Sequence, residues 1–111
     1  PKAFYAVYYT VRADAFDVKY AVGGAARVLQ NIRDIEAKGK EASNQETDLL
    51  TILEVVYKMN LRGIVLLPVD IYKSDAVNFL IEEDGIRAPF NAVGGVGRNA
   101  ALAIVQNKGA E

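Results

Sequence analysis

The chain contains no cysteine and no histidine. The first absence removes disulfides and thiolate chemistry, and the second removes the commonest general base and metal ligand at neutral pH. Zinc fingers, Ser-His-Asp triads and Cys-His pairs are excluded together. Tryptophan is also absent, and only three prolines and one methionine, Met59, occur in 111 residues. No long apolar run exists: the stretch from Ile64 to Pro68 is far short of the roughly 18 to 20 residues that cross a bilayer. Neither charge dominates, since thirteen Lys and Arg stand against fourteen Asp and Glu for a net charge of -1. A protein coated in basic charge is excluded, so any contact with nucleic acid must be local.

What is present is a 51% hydrophobic, 24% charged composition, enough for one small domain that buries roughly two thirds of its unfolded surface. The chain opens on Pro1 and carries no basic stretch followed by an apolar signal core. It reads as a piece of something longer.

Residues 3–11, AFYAVYYTV, are rich in aromatic and β-branched types, and propensity alone favours a strand. Phe4, Val7, Tyr8 and Val11 also fall at the spacing of an amphipathic helix, so the residues leave this segment open. Residues 12–19 break the apolar period and read as a connection. Gly23 and Gly24 precede a helix predicted over 25–38, with Val28, Leu29, Ile32 and Ile35 inward, Asp34 spaced to pair with Lys38, and Gly39 at the C-terminal cap. Ser43 and Glu46 have capping-box spacing. They predict a second helix carrying Leu49, Leu50, Leu53, Val56, Tyr57 and Asn60 on its inner stripe and ending near Gly63.

Beyond Gly63 the pattern turns to short β-prone runs, Ile64 to Leu67 and Val77 to Glu82. Glu83-Asp84-Gly85 reads as the turn of a hairpin over about 77–88. A small antiparallel sheet is expected. No repeat or low-complexity tract divides the chain.

The most informative stretch is Asn91-Ala-Val-Gly-Gly-Val-Gly-Arg-Asn-Ala-Ala-Leu-Ala-Ile-Val105. Two glycines flank one apolar residue, and a helical run follows with Ala101, Ile104 and Val105 inward: the pattern of a helix-hairpin-helix. Such a hairpin leaves the free backbone N–H groups of its second helix facing outward, where a phosphate can sit. Gly95 and Gly97 are expected to supply unusual backbone angles and close approach, and Val96 to plug the core. This contact reads backbone and not base identity. The bland alternative is a tight turn in which the glycines serve geometry alone. A dinucleotide loop is rejected, because the third glycine of G-x-G-x-x-G and a leading parallel strand are missing, and so is a P-loop, which needs Lys-Ser/Thr. Arg98, Lys108 and Arg87 are candidate phosphate contacts, each with ordinary solvated cation as the alternative. Asp14 with Asp17, and Asp70 with Asp75, are carboxylate pairs of the kind Mg2+ uses, although capping and turn roles fit Ser74 and Asp75 better. Tyr5, Tyr8, Tyr9 and Phe4 are either base-stacking or core aromatics.

Four collinear segments carry a family resemblance: FYAVYYTVRADAFDV, IEAKGKEASNQETDLLTILEVVYKMNLRG, VDIYKSDAVNFLIEEDG and IRAPFNAVGGVGRNAALAIV. Together they resemble the C-terminal region of the PolC-type DNA polymerase III alpha subunit, within the C family of DNA polymerases. The resemblance implies a parent enzyme that extends a primer by phosphoryl transfer with two Mg2+ ions held on palm carboxylates. Those carboxylates lie upstream in the family and none maps onto this chain, so no catalytic residue, metal site or cofactor is assigned here. It further implies that the opening segment is helical, the end of the fingers, and that the closing one grips duplex DNA through Gly95, Val96, Gly97, Arg98 and Asn99, with Lys108 added. Primer-template duplex is the implied partner, with the sliding clamp, the tau subunit and other replisome subunits behind it, in the cytoplasm. One departure stands out: Gly94 replaces the Pro frequent before the first hairpin glycine, which loosens the turn.

The expected fold is α+β, mostly helical, with a helical part over 1–63, a β-hairpin region over 64–88 and a C-terminal helix-hairpin-helix element over 89–111. Its expected function is sequence-independent duplex binding without polymerase activity of its own. The alternative is a structural or protein-interaction module.

Overall fold

The computed structural model of the chain describes residues 1–109. Five α-helices and three short strands follow in the order α1 (Lys2–Val11), α2 (Val18–Ala21), α3 (Ala25–Lys38), α4 (Asn44–Leu61), β1 (Val65–Leu67), β2 (Leu80–Glu82), β3 (Gly85–Arg87) and α5 (Arg98–Gly109). Single 3₁₀ turns lie at Ala13–Ala15, Gly39–Glu41 and Phe90–Ala92. The fold is α+β and mostly helical.

The N-terminal segment is a helix, but its inward face differs from the one its period picks out. Tyr5, Ala6 and Tyr9 are buried, whereas Phe4, Val7 and Val11 are 63–73% exposed. Almost every side chain in AFYAVYYTV is apolar, so a helical period exists on two faces and packing decides between them. Tyr9 is the keystone. Its ring meets Phe16 and Phe79 at centroid distances of 5.5 and 5.4 Å, and its hydroxyl donates to Met59 Sδ at 3.3 Å. Burial, with the neighbouring Tyr5 and Tyr8, pushes that hydroxyl far above the ordinary tyrosine range. It stays protonated and donating. Tyr5 and Tyr9 face the core, and Tyr8 lies half-buried under the Arg12 guanidinium.

Helices α3 and α4 pack against each other through Val28, Ile32 and Ile35 on one side and Leu49, Ile52, Leu53, Val56 and Met59 on the other. Full burial of each such side chain contributes roughly 1.5–3 kcal/mol. Helix α3 spans the predicted residues 25–38. The predicted Asp34–Lys38 pair does not form: Asp34 accepts from Gln30 at 2.8 Å, and the Lys38 ammonium reaches across the loop to Glu46. The capping box is present, with Ser43 Oγ accepting from the Glu46 N–H at 3.0 Å and Glu46 Oε1 accepting from the Ser43 N–H at 3.1 Å. On α4, Leu50, Tyr57 and Asn60 flank the stripe as half-buried residues, and Ile52 and Met59 complete it.

The sheet has the order β1-β3-β2 and is mixed. The predicted hairpin exists as the antiparallel pair β2–β3, with Ile81 opposite Ile86. Strand β1 joins parallel to β3, pairing Leu66 with Ile86, which corrects the expectation of a purely antiparallel sheet. Gly85 makes the parallel pairing possible, because a Cβ there would collide with the Val65 carbonyl. The long connection from Pro68 to Phe79 carries the chain over so that β3, and not β2, lies beside β1. Arg87 holds this corner together: Nε and Nη2 donate to the two Glu82 carboxylate oxygens at 2.7 and 2.9 Å, and Nη1 donates to the Pro68 carbonyl at 2.9 Å. The carboxylate raises the Arg87 pKa further, and the guanidinium holds Glu82 below the usual carboxylate range.

A second, smaller apolar cluster of Ala76, Phe90 and Ala101, with Val69, Val77, Val96, Ile104 and Val105 packed around it, anchors α5 to the connection before β2. The inward residues predicted for the last helix are those that pack here.

Candidate nucleic-acid interface

Pro89 and the 3₁₀ turn Phe90–Ala92 lead into the glycine stretch. The element ahead of the hairpin is thus one short turn and not a long first helix. The Val96 N–H donates to Val93 O at 3.0 Å, closing the hairpin, and the Ala101 N–H donates to Gly97 O at 3.0 Å as the first bond of α5. Three N–H groups, of Arg98, Asn99 and Ala100, precede that bond and point out of the helix end. Gly97 precedes α5 and brings no side chain that could cap them.

Each glycine has a different job. Gly95 has φ +86, a left-handed conformation that favours glycine. Gly94 is exposed but lies beside Asp17: a Cβ there would come within 2.5 Å of the Asp17 carboxylate. Gly97 takes no left-handed angle, and nothing lies within 4 Å of where its Cβ would be. Its expected unusual backbone angle is therefore absent, and the fold itself does not require glycine at this position. Val96 is half-buried in the second cluster, as a hairpin plug should be.

Arg98 and Asn99 are exposed at the helix start, and Arg98 takes part in no ion pair among the described residues. Lys108 lies in the last turn of α5, and its side chain falls outside the described residues. Arg87 is not available to a phosphate, being buried in its clamp with Glu82 and Pro68.

A cleft of about 320 Å³ runs along the hairpin, and its walls include Asp14, Gln45 and Asn91 besides the residues of the turn and Arg98. Packing of the Ala13–Ala15 turn against the Phe90–Ala92 turn brings Asp14 there, and Gln45 comes from the start of α4. These three come from separate parts of the chain, and no sequence spacing links them.

The carboxylates of the second candidate pair, Asp70 and Asp75, are engaged by backbone N–H groups. Asp70 Oδ1 accepts the N–H groups of Tyr72 and Lys73 at 2.8 and 3.0 Å, which hold its pKa below the usual carboxylate range. Asp75 Oδ2 accepts those of Val77 and Asn78 at 3.1 and 2.9 Å. Both carboxylates build turns. Asp17 lies beside Lys19 at 3.9 Å, Asp14 faces the hairpin cleft, and no cluster of three acidic groups forms among the described residues.

Comparison with known proteins adds to this geometry. Residues 63–111 match a family described as a helix-hairpin-helix motif. The chain is 50% identical over 108 residues to the DNA polymerase III PolC-type of Caldanaerobacter subterraneus subsp. tengcongensis, a match covering 97% of this chain and 8% of that protein. To the proteins of the same name in Clostridium perfringens and Bacillus subtilis it is 48% and 44% identical over 106 and 103 residues, covering 96% and 93% of this chain and 7% of each relative. It therefore spans less than a tenth of the length of these relatives. Over nearly all of its own length, this chain is similar to one short segment of the DNA polymerase III PolC-type proteins, the family its sequence resembles.

Proposed function

We propose that the chain binds double-stranded primer-template DNA through its sugar-phosphate backbone, as a non-catalytic part of a PolC-type polymerase. One observation carries this reading. The N-terminus of α5 is bare behind Gly97 and is followed by the cation of Arg98. A positive side chain at the positive end of a helix is unfavourable by about 0.3–1 kcal/mol, and the arrangement becomes favourable when an anion docks there. Gly97, Arg98 and Asn99 would hold one phosphate, Gly95 and Val96 would set the turn that presents them, and Lys108 would extend the contact. Template-directed synthesis, with its Mg2+ ions, clamp and replisome subunits, belongs in this reading to the parent enzyme.

The test is fluorescence anisotropy of a labelled primer-template duplex titrated with the chain at about 50 and 200 mM salt. Two or three phosphate contacts give a log-log slope of about -2 to -3. Gly97→Val abolishes binding and leaves the circular dichroism spectrum unchanged, since open space surrounds that Cβ. Absence of duplex binding by the folded chain at low salt would sink the proposal.

A second reading, a protein-interaction module, draws on the apolar stripe of Phe4, Val7 and Val11 exposed along α1. Under it, duplex affinity is indifferent to Gly97→Val.

A further inference from the structure

Helix α1 carries an outward face of definite shape. Ala3, Val7 and Val11 follow one another at i, i+4 and i+8 as one ridge, and Phe4, Tyr8 and the C-cap residue Arg12 form a second. These six residues line a groove of about 530 Å³. Two parallel ridges of this spacing with a groove between them are the surface into which a second α-helix lays a ridge of its own. Phe4, Val7 and Val11 are all exposed, the Phe4 and Tyr8 rings lie 6.1 Å apart, and the Arg12 guanidinium stands over Tyr8 at 3.8 Å. The second ridge thus ends in a cation. Arg12 donates to the Tyr8 carbonyl at 3.3 Å and takes part in no ion pair among the described residues.

We propose that this groove seats an α-helix from elsewhere in a longer PolC-type polypeptide, one that brings an apolar ridge to Val7 and Val11 and an Asp or Glu to Arg12. The assignment gives the stripe of the second reading an occupant and does not depend on the duplex reading. Three observations select it. The paired ridges ask for a helix. Charge asks for an acidic one: α1 has Lys2 at its start, Arg12 at its end and no carboxylate, so the same helix of a second copy would offer Arg12 nothing of opposite charge. Extent asks for a tethered one. A strip of ten residues is about 15 Å long and one helix wide, well short of the roughly 800 Å² that each partner contributes to a free-standing complex. A helix on the same polypeptide needs far less contact area, because its effective concentration is in the millimolar range. The PolC-type relatives have such a polypeptide, since this chain matches only 7–8% of their length.

The test carries this chain in place of the matched segment of the Caldanaerobacter PolC-type protein, with the photoreactive residue benzoylphenylalanine at Val7 and, in a second preparation, at Phe4. Both positions are exposed, so the label leaves the buried face of α1 intact. Irradiation of the purified protein should give a cross-link within one polypeptide. Peptide mass spectrometry should place its other end on a segment with apolar residues at i and i+4 and a carboxylate within one turn of them. Arg12→Glu should lower the cross-link yield about tenfold, because like charges then meet, and a Lys at the identified carboxylate should restore it. Cross-links only between two copies, or none from either position, overturn the proposal, and so does a yield indifferent to Arg12→Glu. The same labels at the aligned positions of the unexchanged Caldanaerobacter protein supply the reading if the exchanged protein does not fold. Duplex binding without an internal cross-link leaves the duplex reading standing and removes this one, and an internal cross-link without duplex binding does the reverse.

Discussion

Helices α4 and α5 both begin at the hairpin cleft, the first through Gln45 and the second through Arg98, and they begin in opposite ways. At α4 the polar groups are spent within the chain. Ser43 and Glu46 close a reciprocal pair of hydrogen bonds, and Lys38 neutralises the carboxylate from the preceding helix. At α5 the preceding residue, Gly97, has no side chain to cap the helix, and the first helical residue adds a positive charge to a positive end. Two helix ends have thus been finished differently, one closed by side chains and, in the proposed reading, one left open for a ligand. The fold does not need Gly97 to be glycine, so the bare end is a choice of side chain and not a constraint of geometry.

The most disruptive way to break this comparison is to give α5 the closure of α4. Gly97→Ser with Ala100→Glu places cap and third helical residue at capping-box spacing. Loss of outward N–H groups and the added carboxylate should weaken duplex binding by about a hundredfold, while the melting temperature rises. Anisotropy and thermal melting on one preparation check both. The converse change, Ser43→Ala, opens α4. It should lower stability by about 1 kcal/mol in urea unfolding and leave duplex affinity as it was. The smallest effect is on pH dependence. Lys38 and the Ser43 N–H hold the Glu46 carboxyl below its ordinary value, so its stabilising contribution is present above the unfolded carboxylate range of about 4.3. It is lost as pH falls through the lowered folded value. Asp70 and Glu82 are depressed likewise. Urea midpoints should therefore fall between about pH 6 and pH 3, and Ser43→Ala should flatten that fall.

What could be read from the sequence follows the range of the forces involved. The limits of α3 and the capping box of α4 depend on residues within one or two turns of each other, and both read correctly. The hairpin plug Val96 and the inner side of α5 were legible for the same reason. The inward face of α1 was not, because Phe4, Val7 and Val11 are as apolar as Tyr5, Ala6 and Tyr9, and partners outside the helix, Phe16, Met59 and Phe79, select between them. The parallel β1–β3 pairing was hidden in the same way, its one local sign being a glycine at position 85 where a strand residue with a side chain would clash. Asp14 and Gln45 join the cleft by tertiary packing alone.

The attachment of α1 also dictates an order of events. Lys2 donates to the carbonyls of Glu82 and Glu83 at 3.1 and 3.0 Å, and Thr10 Oγ1 accepts from the Phe79 N–H at 3.0 Å. The helix made first therefore waits for strands made some seventy residues later, a delay on the order of ten seconds at usual rates of synthesis. Until then the tyrosine face has Phe16 and Met59 to meet but lacks Phe79, and the Phe4, Val7 and Val11 stripe is open to water. Closing so long a loop is slow relative to forming the α3–α4 pair, so this first helix docks late. A nascent chain interrupted before Phe79 would leave the tyrosine face incompletely covered beside the exposed Phe4, Val7 and Val11 stripe.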